Sequence, residues 1–284
     1  GGSADTSPFA PLVIYGRKAN YLMGNYTQSD LINSNLAIDL GEDITLNLIT
    51  GFVAQAQQYG IDFADGRSLP SLSNPQPAAG GWVRGGFTIL NDGTHSQFSQ
   101  EAKISGKLAN GLIDFVGGVF YLREENRTDL ADTLSLSPVT TLLLADRILR
   151  NTTKAFAGYL QADLNVTDQI KLTAGIRYTD ERKSLSLSDN RPSCNDAVIE
   201  ASCLTTNNLV APSGATVPTR QTAKVWTPRF AASYSPTNDL MLFASATRGF
   251  KSGGWNARGT AVNTFLPFDP EKVWSYEAGF KSDW

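Results

Sequence analysis

Few residues in this 284-residue chain can make or break bonds. His95 is the sole imidazole, so no Ser/His pair or multi-His site can form, and as a lone loop His it is read as exposed. Cys194 and Cys203 are the sole thiols, too few for a Cys/His metal cage. The carboxylate pair Glu124-Glu125 falls at a strand end and reads as a solvated charge cluster rather than an acid–base couple. The run Gly249-Phe250-Lys251-Ser252-Gly253-Gly254-Trp255 is Gly-rich, but it follows a strand, opens no helix and lacks phosphate-loop spacing. The sequence therefore predicts no catalytic residue, no metal site and no cofactor. What remains is recognition chemistry. Trp82 with Arg84, and Trp255 with Arg258, lie in Gly-rich loops, where a ring and a guanidinium suit anionic chelates or sugar rings. The same residues serve equally as interfacial anchors or loop packing.

Composition narrows the partners. The 24 Lys plus Arg against 27 Asp plus Glu give a net charge of −3, and the cations are scattered, which argues against nucleic acid. With 18% charged and 41% hydrophobic residues the chain fits one large all-β domain or two smaller ones. Its 25 Gly and 10% aromatics suit strands and turns. No stretch approaches the roughly 18 consecutive apolar residues of a spanning helix. That excludes a helical membrane protein but not a membrane barrel, whose strands are only half apolar. The first residues lack a basic and an apolar signal region, so no signal peptide is visible, and the chain is read as processed or as a piece of a longer one.

The elements that position these residues have a period of two. In Val225–Asn256, Trp226, Pro228, Phe230, Ala232 and Tyr234 share one parity, and Thr227, Arg229, Ala231, Ser233 and Ser235 the other. Pro236-Thr237-Asn238-Asp239 turns the chain. The same unit recurs. Ile32 to Leu40 turns at Gly41-Glu42-Asp43 into Ile44 to Phe52, and Gln97 to Gly106 turns at Leu108-Ala109-Asn110-Gly111, an Asn-Gly reversal, into Leu112 to Glu125. In the third hairpin Phe156, Leu160 and Leu164 oppose Tyr159, Gln161 and Asp163. Thr167-Asp168-Gln169 then leads to Leu172 and Ile176 against Lys171 and Arg177. A last strand alternates Trp274, Tyr276, Phe280 and Trp284 with Ser275, Glu277 and Lys281. In 112–122 and 240–250 both faces carry large apolar residues, and which side faces out is open.

The expected fold is all-β, an antiparallel meander of about nine long strands. Residues 1–25 are irregular, and long loops span about 60–94, 126–151, 188–221 and 252–270, with a short helix in Pro138–Arg150. Strands of about 11–16 residues exceed the globular average and match a tilted membrane strand. Turns of about three to five residues alternate with loops of about 20–35, the asymmetry of an outer-membrane barrel. Tyr59, Trp226, Trp274 and Trp284 fall near strand ends, as an interfacial girdle requires.

On these residues a family resemblance rests. FASATRGFKSGGWN, FDPEKVWSYEAGFKSDW and SQFSQEAKISG look like barrel strands of a TonB-dependent outer-membrane receptor, as do AGYLQADLNVTDQIKLTAGIRYTDERK and WTPRFAASYSPTNDLMLFASATRGFKSG. Such receptors hold a plug domain inside a barrel of 22 strands. The resemblance implies an incomplete barrel segment at 1–284, without the plug or an energy-coupling box. It also implies a Gram-negative outer-membrane location, outer-membrane lipid, the receptor's own plug and the TonB complex as partners, and uptake of a scarce nutrient, most often a ferric siderophore. The alternating aromatics ending at Trp284 also imitate a C-terminal assembly signal.

Within that resemblance Phe156, Leu160, Leu164, Leu172 and Ile176 face lipid, and Asp163, Lys171, Arg177, Arg229 and Glu277 face the lumen. Cys194 and Cys203, with eight residues between them in one loop, are paired as a disulfide because such loops mature in an oxidising compartment, with two free thiols as the alternative. Two other functions keep their place: a passive porin or adhesin barrel, and a soluble β-rich carbohydrate-binding domain.

Overall fold

The computed structural model describes residues 24–62, 86–137, 140–189, 217–256 and 265–283. Nine long strands follow one another in a single antiparallel sheet. They are β1 (Gly24–Asp39), β2 (Ile44–Asp62), β3 (Gly86–Leu108), β4 (Ile113–Ser137), β5 (Thr140–Asn165), β6 (Ile170–Asp189), β7 (Arg220–Thr237), β8 (Leu240–Lys251) and β11 (Glu271–Ser282). The order β1-β2-β3-β4-β5-β6-β7-β8-β11 is that of the chain, so the sheet is a meander, and it does not close on itself. A two-stranded ribbon, β9 (Gly254–Trp255) with β10 (Pro267–Phe268), interrupts the last connection.

The turns sit where short polar runs interrupt the alternation. At the β3–β4 turn Ala109, Asn110 and Gly111 all take positive φ, 54°, 55° and 86°. Asn and Gly tolerate that region and Ala does not, so Ala109 is the strained member. Asn165 on β5 holds this turn by donating to the Gly111 carbonyl at 2.9 Å.

At the other end the strands run further than their composition predicts. β4 and β5 stay paired through 126–137 and 140–151, where a loop and a short helix were expected. Residues 86–94 of the expected first long loop belong to β3. The β4–β5 extension is rich in Thr and Leu, and each ladder bond is supplied by the neighbouring strand. Tertiary pairing overrides the helical spacing of the Leu run. His95 is likewise a strand residue, half-buried, with Nδ1 2.7 Å from Asn126 Oδ1, and not an exposed loop His.

The register settles the ambiguous stretches. On β4, Phe115, Val119 and Tyr121 share a face, and Asp114, Val116 and Phe120 share the other. On β8, Leu242, Ala244 and Ala246 lie on the face of Phe115, while Phe243, Ser245 and Thr247 lie opposite. Glu124 and Glu125 lie within a strand, not at its end, and they point to opposite faces, so they form no acid pair.

The hydrophobic face changes side along the strands without any slip of register. In the turn-proximal half the apolar face of β6 carries Ile170, Leu172, Ile176 and Tyr178, and that of β5 carries Leu164, Leu160 and Phe156. These apolar residues are exposed, at 36–55% for Phe156, Leu160, Leu164, Leu172 and Ile176. Beyond them the opposite face becomes apolar and buried: Leu185 and Leu187 on β6, Ala155 and Leu149 on β5, Val225 and Ala223 on β7. The β5–β6 ladder is continuous from Arg147/Asp189 to Asn165/Lys171, so the switch is one of composition, not of a bulge. Such a switch follows when the outer surroundings change from hydrocarbon to water partway along a strand.

A row of rings marks the switch. Phe52, Phe98, Tyr121, Phe156, Tyr178 and Trp226 all lie on the outward apolar face near it. Tyr178 and Trp226 touch, with ring centroids 4.8 Å apart, and Phe98 and Tyr121 lie 6.5 Å apart. Trp274 joins this face, whereas Tyr59 does not. Its register opposite Asn91 puts it on the polar face with Gln55 and Gln57, because two-residue periodicity outranks nearness to a strand end. From Ile170 to Tyr178 is nine residues, about 26 Å along the strand.

Candidate functional site

The face opposite the exposed apolar band collects the charges. By register Asp163, Lys171, Arg177, Arg229 and Glu277 all lie on it, running across β5, β6, β7 and β11. They do not converge on one point. Three separate groups build the face from the turns upward.

Nearest the turns, Asn165 donates to Asp114 Oδ2 at 3.0 Å, and the Lys171 ammonium stands 3.9 Å from the same oxygen. Asp163 accepts from Gln161 at 3.5 Å. These groups pair with one another across the face.

Midway, four strands supply one cluster. The Tyr159 hydroxyl on β5 donates to Glu101 Oε1 on β3 at 2.6 Å. It reaches across β4 over Gly118, where an added Cβ would stand 2.8 Å from the Tyr159 hydroxyl and 2.6 Å from the Ala102 carbonyl oxygen. Arg177 on β6 lies opposite Tyr159, with its guanidinium carbon 5.7 Å from the Tyr159 ring centre and 5.5 Å from that of Phe120. Cation–π attraction to the two rings and a hydrogen bond from Arg177 Nε to Thr179 Oγ1 at 3.3 Å hold the guanidinium there. Glu101, Phe120 and Tyr159 escape the sequence reading, although Tyr159 shares the parity of Gln161 and Asp163. Arg229 and Glu277 are both exposed, and Arg229 donates to Thr247 Oγ1 at 3.5 Å.

At the upper end the chain after β8 folds back over this face. Lys183 donates to the Gly253 carbonyl at 2.9 Å and lies 3.5 Å from Glu181. Ser252 donates to Glu181 at 2.9 Å, and Gln221 donates to the Gly254 carbonyl at 2.9 Å. Gly253 is required there, since a Cβ would stand 2.4 Å from the Phe268 carbonyl oxygen. Leu130, Leu149, Leu185, Leu187, Val217 and Phe265 form the core beneath, with Trp255 packed against it. The Trp255 indole N–H donates to the Pro218 carbonyl at 2.7 Å. A cavity of about 350 Å³ opens beside it, with Asn126, Asn151, Lys183, Lys251, Trp255 and Phe268 in its wall. One wall thus offers an indole, a ring, an exposed ammonium and two amides, a set that stacks on planar groups and attracts anions.

Trp255 is the one loop residue of the sequence reading that the structure places here. Trp82, Arg84, Arg258, Cys194 and Cys203 lie outside the described residues. Among the described residues no three His, Cys, Asp or Glu side chains gather as a metal-holding group.

Comparison with known proteins places this geometry. In fold the chain is similar to the ferric yersiniabactin uptake receptor FyuA from Yersinia pestis, at 17% identity and a TM-score of 0.63, over 91% of this chain and 33% of that one. It is similar to the ferric-catecholate import receptor Fiu from E. coli K12 in its closed form, at 16% identity and a TM-score of 0.64, over 91% of this chain and 38% of that one. It is also similar to the copper transporter OprC, at 9% identity and a TM-score of 0.53, over 92% of this chain and 37% of that one. The chain therefore spans little more than a third of the length of these structures. A family model described as TonB dependent receptor-like, beta-barrel, matches residues 2–284. With that match running almost end to end over an antiparallel sheet of long strands, the chain belongs to the TonB-dependent receptor family, as part of its β-barrel.

Proposed function

We propose that this chain is a wall segment of a TonB-dependent receptor in the outer membrane of a Gram-negative bacterium, serving active uptake of a ferric siderophore. The observation that carries the reading is the change of apolar face at the aromatic row. Below that row exposed apolar residues meet hydrocarbon, and above it apolar residues turn inward away from water. The band between turn and ring row matches the roughly 9–11 residues a tilted spanning strand needs.

On this reading the polar face, with Asp163, Lys171, Arg177, Arg229 and Glu277, lines the lumen and meets the plug. The plug couples to the TonB complex. The sheet edges at β1 and β11 pair with further strands of the receptor, because hydrocarbon satisfies no open edge. The cavity beside Trp255 and Lys251 is the part of this wall that meets an anionic chelate. Support for that cargo comes from the ferric chelates named for FyuA and Fiu. The name of OprC records copper on the same fold, so the cargo needs its own test.

The test is uptake by cells whose sole receptor of this class is the full protein. Radiolabelled ferric catecholate, ferric citrate and copper are supplied separately under iron limitation, with and without TonB. TonB-dependent accumulation of a ferric chelate is expected. Accumulation of copper alone, or accumulation that persists without TonB, overturns the reading.

A further inference from the structure

The upper part of the polar face carries an uncharged panel. Gln57 of β2 lies opposite Gly93 of β3, and Gly93 opposite Thr128 of β4. One row nearer the turns, Gln55, His95 and Asn126 lie side by side across the same three strands. No carboxylate or ammonium stands in these two rows across β2, β3 and β4. One row further up, Asn91 faces Tyr59.

The panel encloses a cleft of about 310 Å³, with Gln55, Gln57, Asn91, His95, Asn126 and Thr128 in its wall. Asn91 is 8% exposed, and neither its amide nor that of Gln57 has a hydrogen-bond partner among the described residues. The bare backbone of Gly93 makes room for the Asn91 amide, since an added Cβ would stand 3.1 Å from Asn91 Nδ2. Asn126 donates to Glu124, which turns its Oδ1 towards His95 Nδ1. In the neutral ring Nδ1 then carries the proton, and Nε2 is left an acceptor. Arg127, also in the wall, is paired with Asp129 at 3.0 Å. The cleft therefore offers donors and acceptors without an unpaired charge. Asn126 and Thr128 also stand in the wall of the cavity beside Trp255, so the two spaces adjoin. That cavity holds the cations Lys183 and Lys251.

We propose that this cleft takes a neutral sugar carried on the ligand, its hydroxyls on the Gln57 and Asn91 amides, while the anionic part lies beside Trp255 and Lys251. A carboxamide both donates and accepts, as a hydroxyl does, so the two pair in either sense. An anion needs cations, which this cleft lacks unpaired. A ligand without hydroxyls leaves the Asn91 amide desolvated and unmatched, which is how a polar pocket rejects an apolar analogue. The substrate class is thus a glycosylated anionic chelate. The inference rests on the proposed uptake of an anionic chelate through the cavity beside Trp255.

The test uses the full receptor in detergent micelles and isothermal titration. The probes are a ferric tris-catecholate, the same chelate carrying glucose, the same chelate carrying an alanine dipeptide, and maltotriose. The glucose-bearing chelate is expected to bind at least about tenfold more tightly than the bare one, the weight of two neutral hydrogen bonds. Asn91→Leu is expected to bring the two affinities close to equality. Gln57→Leu, at a half-buried position, is expected to do the same without disturbing the packing of Asn91. Lys224→Gln, exposed on the outward face, is expected to keep the preference. Equal binding of the bare and glucose-bearing chelates, or an undiminished preference in Gln57→Leu, overturns the proposal and leaves the chelate reading standing. An equal gain from the alanine dipeptide overturns it in favour of a peptide site. Maltotriose binding that Gln57→Leu abolishes, in a receptor that binds no chelate, supports the sugar cleft while the chelate reading falls. A receptor that binds none of the four probes overturns both.

Discussion

Tyr159 and Glu101 meet at 2.6 Å although a whole strand separates them in the sheet. The contact exists because β4 presents Gly118 at the crossing point, leaving the hydroxyl a path over the backbone. A hydrogen bond spanning three strands ties the sheet across its width as well as along each ladder. It also orients the ring that receives Arg177.

Gly118→Ala should therefore destabilise the receptor by about 1–3 kcal/mol, the cost of forcing an extra carbon into a filled space. The added carbon meets the Ala102 backbone oxygen, which cannot rotate away. Gly158→Ala, where nothing lies within 4 Å, should cost far less. Urea unfolding of the full receptor in phospholipid vesicles compares the two.

Tyr159→Phe keeps the ring but removes the donor to Glu101. A loss of about 1.5 kcal/mol is expected, in line with a hydrogen bond to a charged group. With Glu101→Ala added, the losses should fall short of their sum, because either change breaks the same contact. A double-mutant cycle in the same unfolding assay reads the coupling.

The exposed apolar band makes a prediction about faces. Ala174→Arg places a charge among Leu172 and Ile176 and should cost about 2–4 kcal/mol. Thr173→Arg, one residue away on the polar face, should cost little. Equal costs for the two would contradict a lipid-facing band.

Within that band Thr50 donates to Gln100 Oε1 at 2.7 Å, and Gln100 Nε2 donates to the Ile49 carbonyl at 3.1 Å. Thr50→Val leaves the Gln100 oxygen unpaired in apolar surroundings and should cost about 1–3 kcal/mol. Thr50→Val with Gln100→Leu should recover most of that loss, since replacing both partners removes the unmet group. Vesicle unfolding of the three variants decides it.

Above the band, the hydrogen bond from Arg182 holds the Asp180 carboxyl below the usual carboxylate range. Its contribution to stability is present above the ordinary carboxylate pKa and is lost as pH falls through the lowered folded value. Arg182→Gln should return Asp180 towards the ordinary range and remove most of that pH-dependent contribution. Carbon-13 titration of the Asp180 carboxyl in the two proteins measures the direction.

The sequence alone determined much of the wall. In Phe156–Tyr178 alternate residues differ sharply in polarity and short Thr-Asp-Gln type turns interrupt them, so strand, turn and face are all local properties. The outward, exposed placement of Leu160 and Leu172 and the opposite placement of Asp163 and Arg177 follow from period two. The order of the meander follows as well, because short turns force neighbours to pair. Beyond the ring row that logic fades, since water does not require an apolar outer face. Leu142, Leu143 and Leu149 were then indistinguishable from a helical run until β4 supplied their ladder.

Only the tertiary structure decided which residues meet across strands. Neither Gly118 nor Glu101 announces a link to Tyr159, which lies 58 residues beyond Glu101. The grouping of Gln57, Asn91 and Asn126 depends on the registers of two separate ladders. The fold-back of Ser252–Trp255 over Lys183 depends on hydrogen bonds between segments about 70 residues apart. Periodicity is written in adjacent residues, whereas register is a sum over many distant pairs. The chain therefore spelled out its faces but left its contacts to folding.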